Sequence, residues 1–315
     1  MKDESQLQVR SKDAESSLIL SSARSSLAAR GRRDAEAIDR QPDEREHPTI
    51  GKYRRLAEAG DAGAQYELGS FYDEGCGVAQ DYVEAARWWR KAAEQGHVEA
   101  QFSIGSIYYN GQGVVQDYAE AVKWFREAAD QGDAAAQFNL GMMFREGQGV
   151  DQDHVEAVTW FRMAAEQGHA EAQNCVGYAY ASGFLQVPEA HQREHRGERL
   201  DYEEAARWWR KAAEQDHPGA QFNLGMMYAD GKGVPQDYVE AYKMLSFAVA
   251  NSSEQDRARR SEKRDIVAMK LTSEQLAAAQ RMVTEALRER DEKLPSIMEA
   301  FKESLRMARE AELEA

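Results

Sequence analysis

Two histidines one helical turn apart with a glutamate between them, His191-Gln192-Arg193-Glu194-His195, have the spacing by which a zinc hydrolase holds its metal and general base. That chemistry also needs a third ligand and a catalytic domain around it. Here the motif stands in a short, charged stretch, so it reads as a chance match. A second candidate is a recurrent pair of acids: Asp81/Glu84, Asp117/Glu120, Asp153/Glu156, Asp201/Glu204 and Asp237/Glu240. Each Asp opens a helix with Glu three residues on, the arrangement of a reciprocal cap, and that one role covers all five pairs. The loops Gly75-Cys76-Gly77-Val78 and Gly111-Gln112-Gly113-Val114 lack the preceding strand and the Lys of a phosphate cradle, and suit a positive-φ helix stop. His97, His169 and His217 share one position with Asp61 and Asp133. Asp there is a good N-cap and Pro218 next to it fits N1, which predicts a boundary role for the histidines rather than metal binding.

What positions these residues is a repeat. Gly69, Gly105, Gly141 and Gly177 recur every 36 residues, and Gly225 follows after 48, a 12-residue insertion. Trp88-Trp89, Trp124-Phe125, Trp160-Phe161, Trp208-Trp209 and Met244-Leu245 keep the same step, as do Gln65, Gln101, Gln137, Gln173 and Gln221. Five repeats are present, after a half-repeat at Tyr53–Gly60. Each reads as two helices. The first carries Ala64, Leu68 and Tyr72 on one face, with Gly69 marking close approach of a neighbour. The second carries Ala85, Trp88, Trp89, Ala92 and Ala93, a broad apolar stripe. Burying one such ring is worth roughly 4–6 kcal/mol at about 25 cal/mol per Å², before ordering entropy is subtracted. A hairpin with one apolar face must borrow cover from its neighbours, so the array must stack. The reading is an all-α, right-handed α/α superhelical solenoid of five helical hairpins.

These residues resemble the Sel-one-like repeat (SLR) family, a relative of the tetratricopeptide repeats. The resemblance rests on Ala64 to Tyr72, Gly75 to Val78, Asp81 to Ala85 and Trp88 to Gly96, and extends from about Gly51 to Asn251. Arg264 through Gln275 to Arg281 is similar to the closing segment of bacterial members. The family implies adaptor or scaffold roles in protein complexes, without a cofactor. Some relatives with regularly placed cysteines act on β-lactams. This chain has only Cys76 and Cys175, too far apart to bridge at ~8–10 Å per helix layer, and no Ser-x-x-Lys motif.

By analogy with the family, the first helices line a concave face, and positions off the core stripe meet a protein partner. They are Glu67, Ser70 and Glu74; Ser103, Ser106 and Asn110; Asn139, Met142 and Glu146; Cys175, Tyr178 and Ser182; Asn223, Met226 and Asp230. Met142, Tyr178 and Met226 beside Asn139 and Asn223 suggest a groove for a peptide or helix, since Met adapts and Asn bonds both ways. Acidic rims at Glu67, Glu74, Glu146 and Asp230 suit a basic or neutral segment. Two other classes compete with the adaptor: a hydrolase, and a structural or oligomerising element that uses the last helix.

Residues 1–45 read as a polar, disordered tail and 46–251 as the solenoid, with an insertion at 184–200. Capping helices are expected over 252–290, with Leu276, Ala279, Val283 and Leu287 covering the last repeat. Ser296/Glu299 then opens an extra amphipathic helix over 291–315 with Met298, Phe301 and Leu305. A net charge of −15 opposes nucleic-acid binding, and no apolar run approaches a membrane span. Asp3 and Glu4 with no long apolar stretch argue against a secretory signal, and two cysteines fit a cytoplasmic setting.

Overall fold

The structure of the protein, a computed structural model, describes residues 48–183 and 201–314, with side chains as far as 293. The 1–45 tail, the 184–200 insertion with its His191–His195 motif, and the side chains of Met298, Phe301 and Leu305 lie outside the described residues. Among the described residues there are helices and no strand. They are α1 (Pro48–Glu58), α2 (Ala62–Glu74), α3 (Tyr82–Glu94), α4 (Val98–Asn110), α5 (Tyr118–Asp130), α6 (Ala134–Glu146), α7 (His154–Glu166), α8 (Ala170–Ser182), α9 (Tyr202–Ala213), α10 (Pro218–Asp230), α11 (Tyr238–Ala250), α12 (Glu254–Ala268) and α13 (Ser273–Glu314). The fold is an all-α solenoid of helical hairpins. It divides into two compact units within α8, one ending at Ala172 and the other beginning at Gln173.

In the first unit consecutive helices from α1 to α7 pack on one another. The ring pairs fill the spaces between. Trp124 lies among Ala86, Trp89 and Ala93 of α3 and Ile104 of α4, and Trp160 among the counterparts Val122, Phe125, Ala129 and Leu140. The recurring helical glycine is explained by the second ring of each pair. A Cβ on Gly105 would stand 2.8 Å from Phe125, which is fully buried. Only hydrogen leaves room there.

The buried glutamines tie one hairpin to the next. Gln101 donates its Nε2 to Ala93 O at 3.2 Å, and its Oε1 accepts from Gln131 Nε2 at 2.7 Å. Gln137 repeats this with Ala129 O and Gln167 at 3.1 and 2.8 Å. In the second unit Gln221 bonds Ala213 O at 3.2 Å, with Asn251 at 3.1 Å in place of the outer Gln. An amide has both a donor and an acceptor, so one side chain can satisfy a helix-end carbonyl and hold the next turn.

The caps differ from expectation in one half. Asp81 accepts from Val83 and Glu84 N–H at 2.9 and 3.1 Å, as a cap should. The reciprocal bond from Glu84 is missing because Asp81 N–H is already given to Tyr72 O at 2.9 Å. Asp117, Asp153 and Asp237 make the same backbone clasp to Tyr108, Phe144 and Tyr228, and Asp201 makes it to Tyr180 at 3.2 Å, on either side of the insertion. Glu84, Glu120, Glu204 and Glu240 turn to a base instead, as Glu84 does to Arg87 at 3.2 Å, and Glu156 accepts from Trp160 Nε1–H at 3.0 Å. A reciprocal box does form at α13, where Thr272 and Gln275 exchange bonds of 3.0 and 3.2 Å.

In the second unit α12 and α13 both pack on α11, and Val267, Leu276 and Ala279 join the core of the last repeat. The boundary expected near 291 is not a break: α13 runs from Ser273 to Glu314 as one helix. All of residues 285–293 but Asp291 are strong helix formers, and the i,i+4 pairs Arg288–Glu292 (2.7 Å) and Glu289–Lys293 (3.6 Å) carry the helix across.

Candidate functional site

The first-helix positions named from the sequence divide into open and closed ones. Glu67, Ser70 and Glu74 on α2, Ser106 and Asn110 on α4, and Glu146 on α6 are partly exposed. Ser103, Asn139 and Met142 are not ligand-facing: each is only 5% exposed. A first helix has a second helix packed on either side, as α4 has α3 and α5, so its free stripe is narrower than an i, i+3, i+7 trio. In the second unit Tyr178 is 59% exposed, Asp230 is exposed, and Asn223, Met226, Cys175 and Ser182 are half-buried.

Polar groups on this surface are partly spent within the protein. Ser70 and Ser106 donate back to the carbonyls of Tyr66 and Phe102 at 3.2 and 3.0 Å, and Ser182 donates to Tyr178 O at 2.7 Å. Glu146 is paired with Arg145 at 3.2 Å, Asp230 with Lys232 at 3.2 Å, and Glu74 accepts from Cys76 Sγ at 3.5 Å. Asn223 gives its Nδ2–H to Asn174 Oδ1 at 3.3 Å. Tyr178, one turn on from Asn174 on α8, therefore shares a face with Asn223.

Tyr109 belongs to the surface and was missed. It sits three residues from Ser106, its ring meets Tyr118 edge-on at 5.3 Å, and its hydroxyl is pushed up to about 12 by burial and then by the Glu146 charge. The group stays a phenol under any working condition. Its signal in the sequence was irregularity, since Asp73, Arg145 and Ala229 hold the same position elsewhere.

The three histidines act as caps. His97 Nδ1 accepts from Ala100 N–H at 3.4 Å, His169 from Ala172 at 3.3 Å and His217 from Ala220 at 3.0 Å. An acceptor Nδ1 means a neutral ring with its proton on Nε2. His97 and His169 also stack on Tyr66 and Phe138, with centroids 4.8 Å apart. Among the described residues no cluster of three His, Cys, Asp or Glu is placed to hold a metal, neither cysteine is in a disulfide, and no helix is long and apolar enough to cross a membrane.

Five consecutive matches to the Sel1 repeat cover residues 62–97, 98–133, 134–169, 170–217 and 218–253, the last four boundaries falling where the caps fall. The chain belongs to the Sel1-repeat family. A Sel1-repeat protein from Oxalobacter formigenes is 32% identical, with a TM-score of 0.57 over 68% of this chain, and this chain spans 58% of that one's length. The c5321 antigen of uropathogenic Escherichia coli, which has an SLR fold, is 26% identical over 76% of this chain and 71% of its own, with a TM-score of 0.36. An immunity protein of Pseudomonas aeruginosa, Pa5087, is 17% identical over 73% of this chain and 85% of its own, also at 0.36. No curated protein matches the sequence. The Sel1 assignment accounts for the hairpins and for the acids, glycines and histidines that bound them.

Proposed function

We propose that this Sel1-repeat chain is a non-enzymatic adaptor that holds a neutral or basic protein segment against the first-helix faces of its repeats. The supporting observation is Tyr178. Among the described residues it is the only Phe, Tyr or Trp ring that stands mostly exposed, and it shares its face with Asn223. A ring with a polar tip is a common anchor of protein interfaces. Asn223 offers amide groups to a peptide backbone, and Asp230, exposed further along the same helix α10, adds an acid for a basic stretch.

The test is capture of partners by the full chain, identified by mass spectrometry, followed by two variants. Tyr178→Ala with Met226→Ala is expected to weaken binding at least about tenfold, and Asn223→Ala with Asp230→Lys to weaken it for basic segments. Binding unmoved by either pair removes the proposal. Nitrocefin and peptide hydrolysis should stay at background, and turnover of either would favour the hydrolase reading.

A further inference from the structure

The first ring of each second helix occupies a slot between the first helix of its own repeat and the second helix of the repeat before. Trp88 sits with Ala57, Leu68 and Tyr72, Trp124 with Ala93, Ile104 and Tyr108, and Trp160 with Ala129, Leu140 and Phe144. The three indoles are 5%, 9% and 8% exposed. In the fifth repeat the slot walls are still present as Ala213, Leu224 and Tyr228, but the filling residue is Met244. A thioether chain is slimmer than an indole and leaves the slot part empty. A cavity of about 410 Å³ opens there, lined by Ala213, Leu224, Tyr228 and Met244 and closed on one side by Leu287 of α13. Small-ligand sites fall in this size range.

The filled slots show what the empty one can hold. Trp160 donates its Nε1–H to Glu156 at 3.0 Å. Glu240, the counterpart of Glu156, lines the cavity and is held by Lys243 at 2.7 Å. Two guanidinium groups also line it. Arg290 is committed to Asn251 at 2.7 Å and to Asp216 at 3.7 Å. Arg210 is exposed and lies beside the Tyr228 hydroxyl at 3.5 Å, and among the described residues no carboxylate pairs with it. We propose that this cavity binds a small ligand bearing an indole-sized ring and a carboxylate. The ring takes the place of the missing tryptophan, and the carboxylate meets Arg210. The site is independent of the first-helix surface.

Calorimetry of the full chain with indole-3-acetate, indole and tryptamine tests it. Indole-3-acetate should saturate with a Kd below about 1 mM, indole should bind more weakly, and cationic tryptamine weakest. Met244→Trp fills the slot from within, so it should abolish binding and raise the Tm by itself. Ala213→Leu blocks the opposite wall and should also abolish binding, and it decides alone if Met244→Trp does not fold. Arg210→Gln should bring indole-3-acetate down to the affinity of indole and leave indole unchanged. The proposal is overturned by wild-type protein that shows no saturable heat, by a folded blocking variant that binds as the wild type does, or by Arg210→Gln without effect. A tryptophan-containing peptide that binds where indole-3-acetate does not would overturn the small-ligand assignment.

Discussion

At the position before the first ring, the repeats carry Arg87, Lys123, Thr159, Arg207 and Lys243. Where the residue is basic it takes the Glu three residues back, as Arg207 takes Glu204 at 2.8 Å. Among the described residues the Nε1–H of Trp88 and Trp124 then has no acceptor. Thr159 makes no such demand, and instead bonds Val155 O at 3.0 Å, so Glu156 is left for Trp160. Thr159→Arg should therefore pull Glu156 away and lower stability by about 1 kcal/mol, the cost of an unmet buried donor less the small gain of an exposed pair. A urea titration with near-ultraviolet circular dichroism reads both the loss and the changed tryptophan environment. At this scale the sequence is legible wherever a residue's partner is near in the chain, as with Asp81 and its N–H groups. It is silent on Ser103, Asn139 and Met142, whose burial depends on helices that pack around them. Met244 was visible as a break in the ring pattern, but its meaning needed the walls of the slot.

Among whole elements, helix ends were the most readable feature, because a cap is settled within four residues. The continuity of α13 was harder, since Ser296 has the look of a helix start and nothing nearby in sequence says the preceding turn never ended. Two consequences attach to the ends. Gln101→Leu keeps the shape but removes two side-chain bonds, while Ala93 O keeps Gly96 N–H at 2.9 Å and Gln131 keeps Glu127 O at 3.4 Å, so the urea midpoint should fall by the equivalent of about 1 kcal/mol. The histidine caps make the α8 end sensitive to acid. Burial holds His169 below its usual 6.5, and the opposing pull of Glu171 (3.6 Å away) and Asp133 is smaller. Because the folded state binds this proton less readily than the unfolded one, the cap's contribution is complete above 6.5 and is lost as pH falls through the lowered value. His169→Asp, the residue found at the equivalent Asp61 and Asp133, should narrow the Tm difference between about pH 7.5 and about pH 5.5. An unchanged gap would mean that the imidazole does not titrate with folding.

For the molecule as a whole, every repeat in the first unit uses the same first-ring tryptophan, the same helical glycine and the same amide. Removal of residues 98–133, one matched repeat, brings Trp89 and Ala93 up to Ala136 and Gln137 in the register they had with Ala100 and Gln101. The shortened chain should keep its mean residue ellipticity and still unfold cooperatively, at a lower Tm because a layer of burial has gone. A deletion out of step with the period should not. That periodicity was fully legible from spacing, since each joint is a copy of the last and a copy announces itself. The clasp between Asp201 and Tyr180 gives one more result. It closes the hairpin of the fourth repeat on the same two backbone atoms that close its shorter siblings, so the hairpin does not register how much chain hangs between them. Each doubling of such a span costs only about 0.6 kcal/mol. The position is a ready-made splice point, where a tag, a reporter or a foreign epitope can be carried as cargo while the scaffold beneath it goes on folding as before.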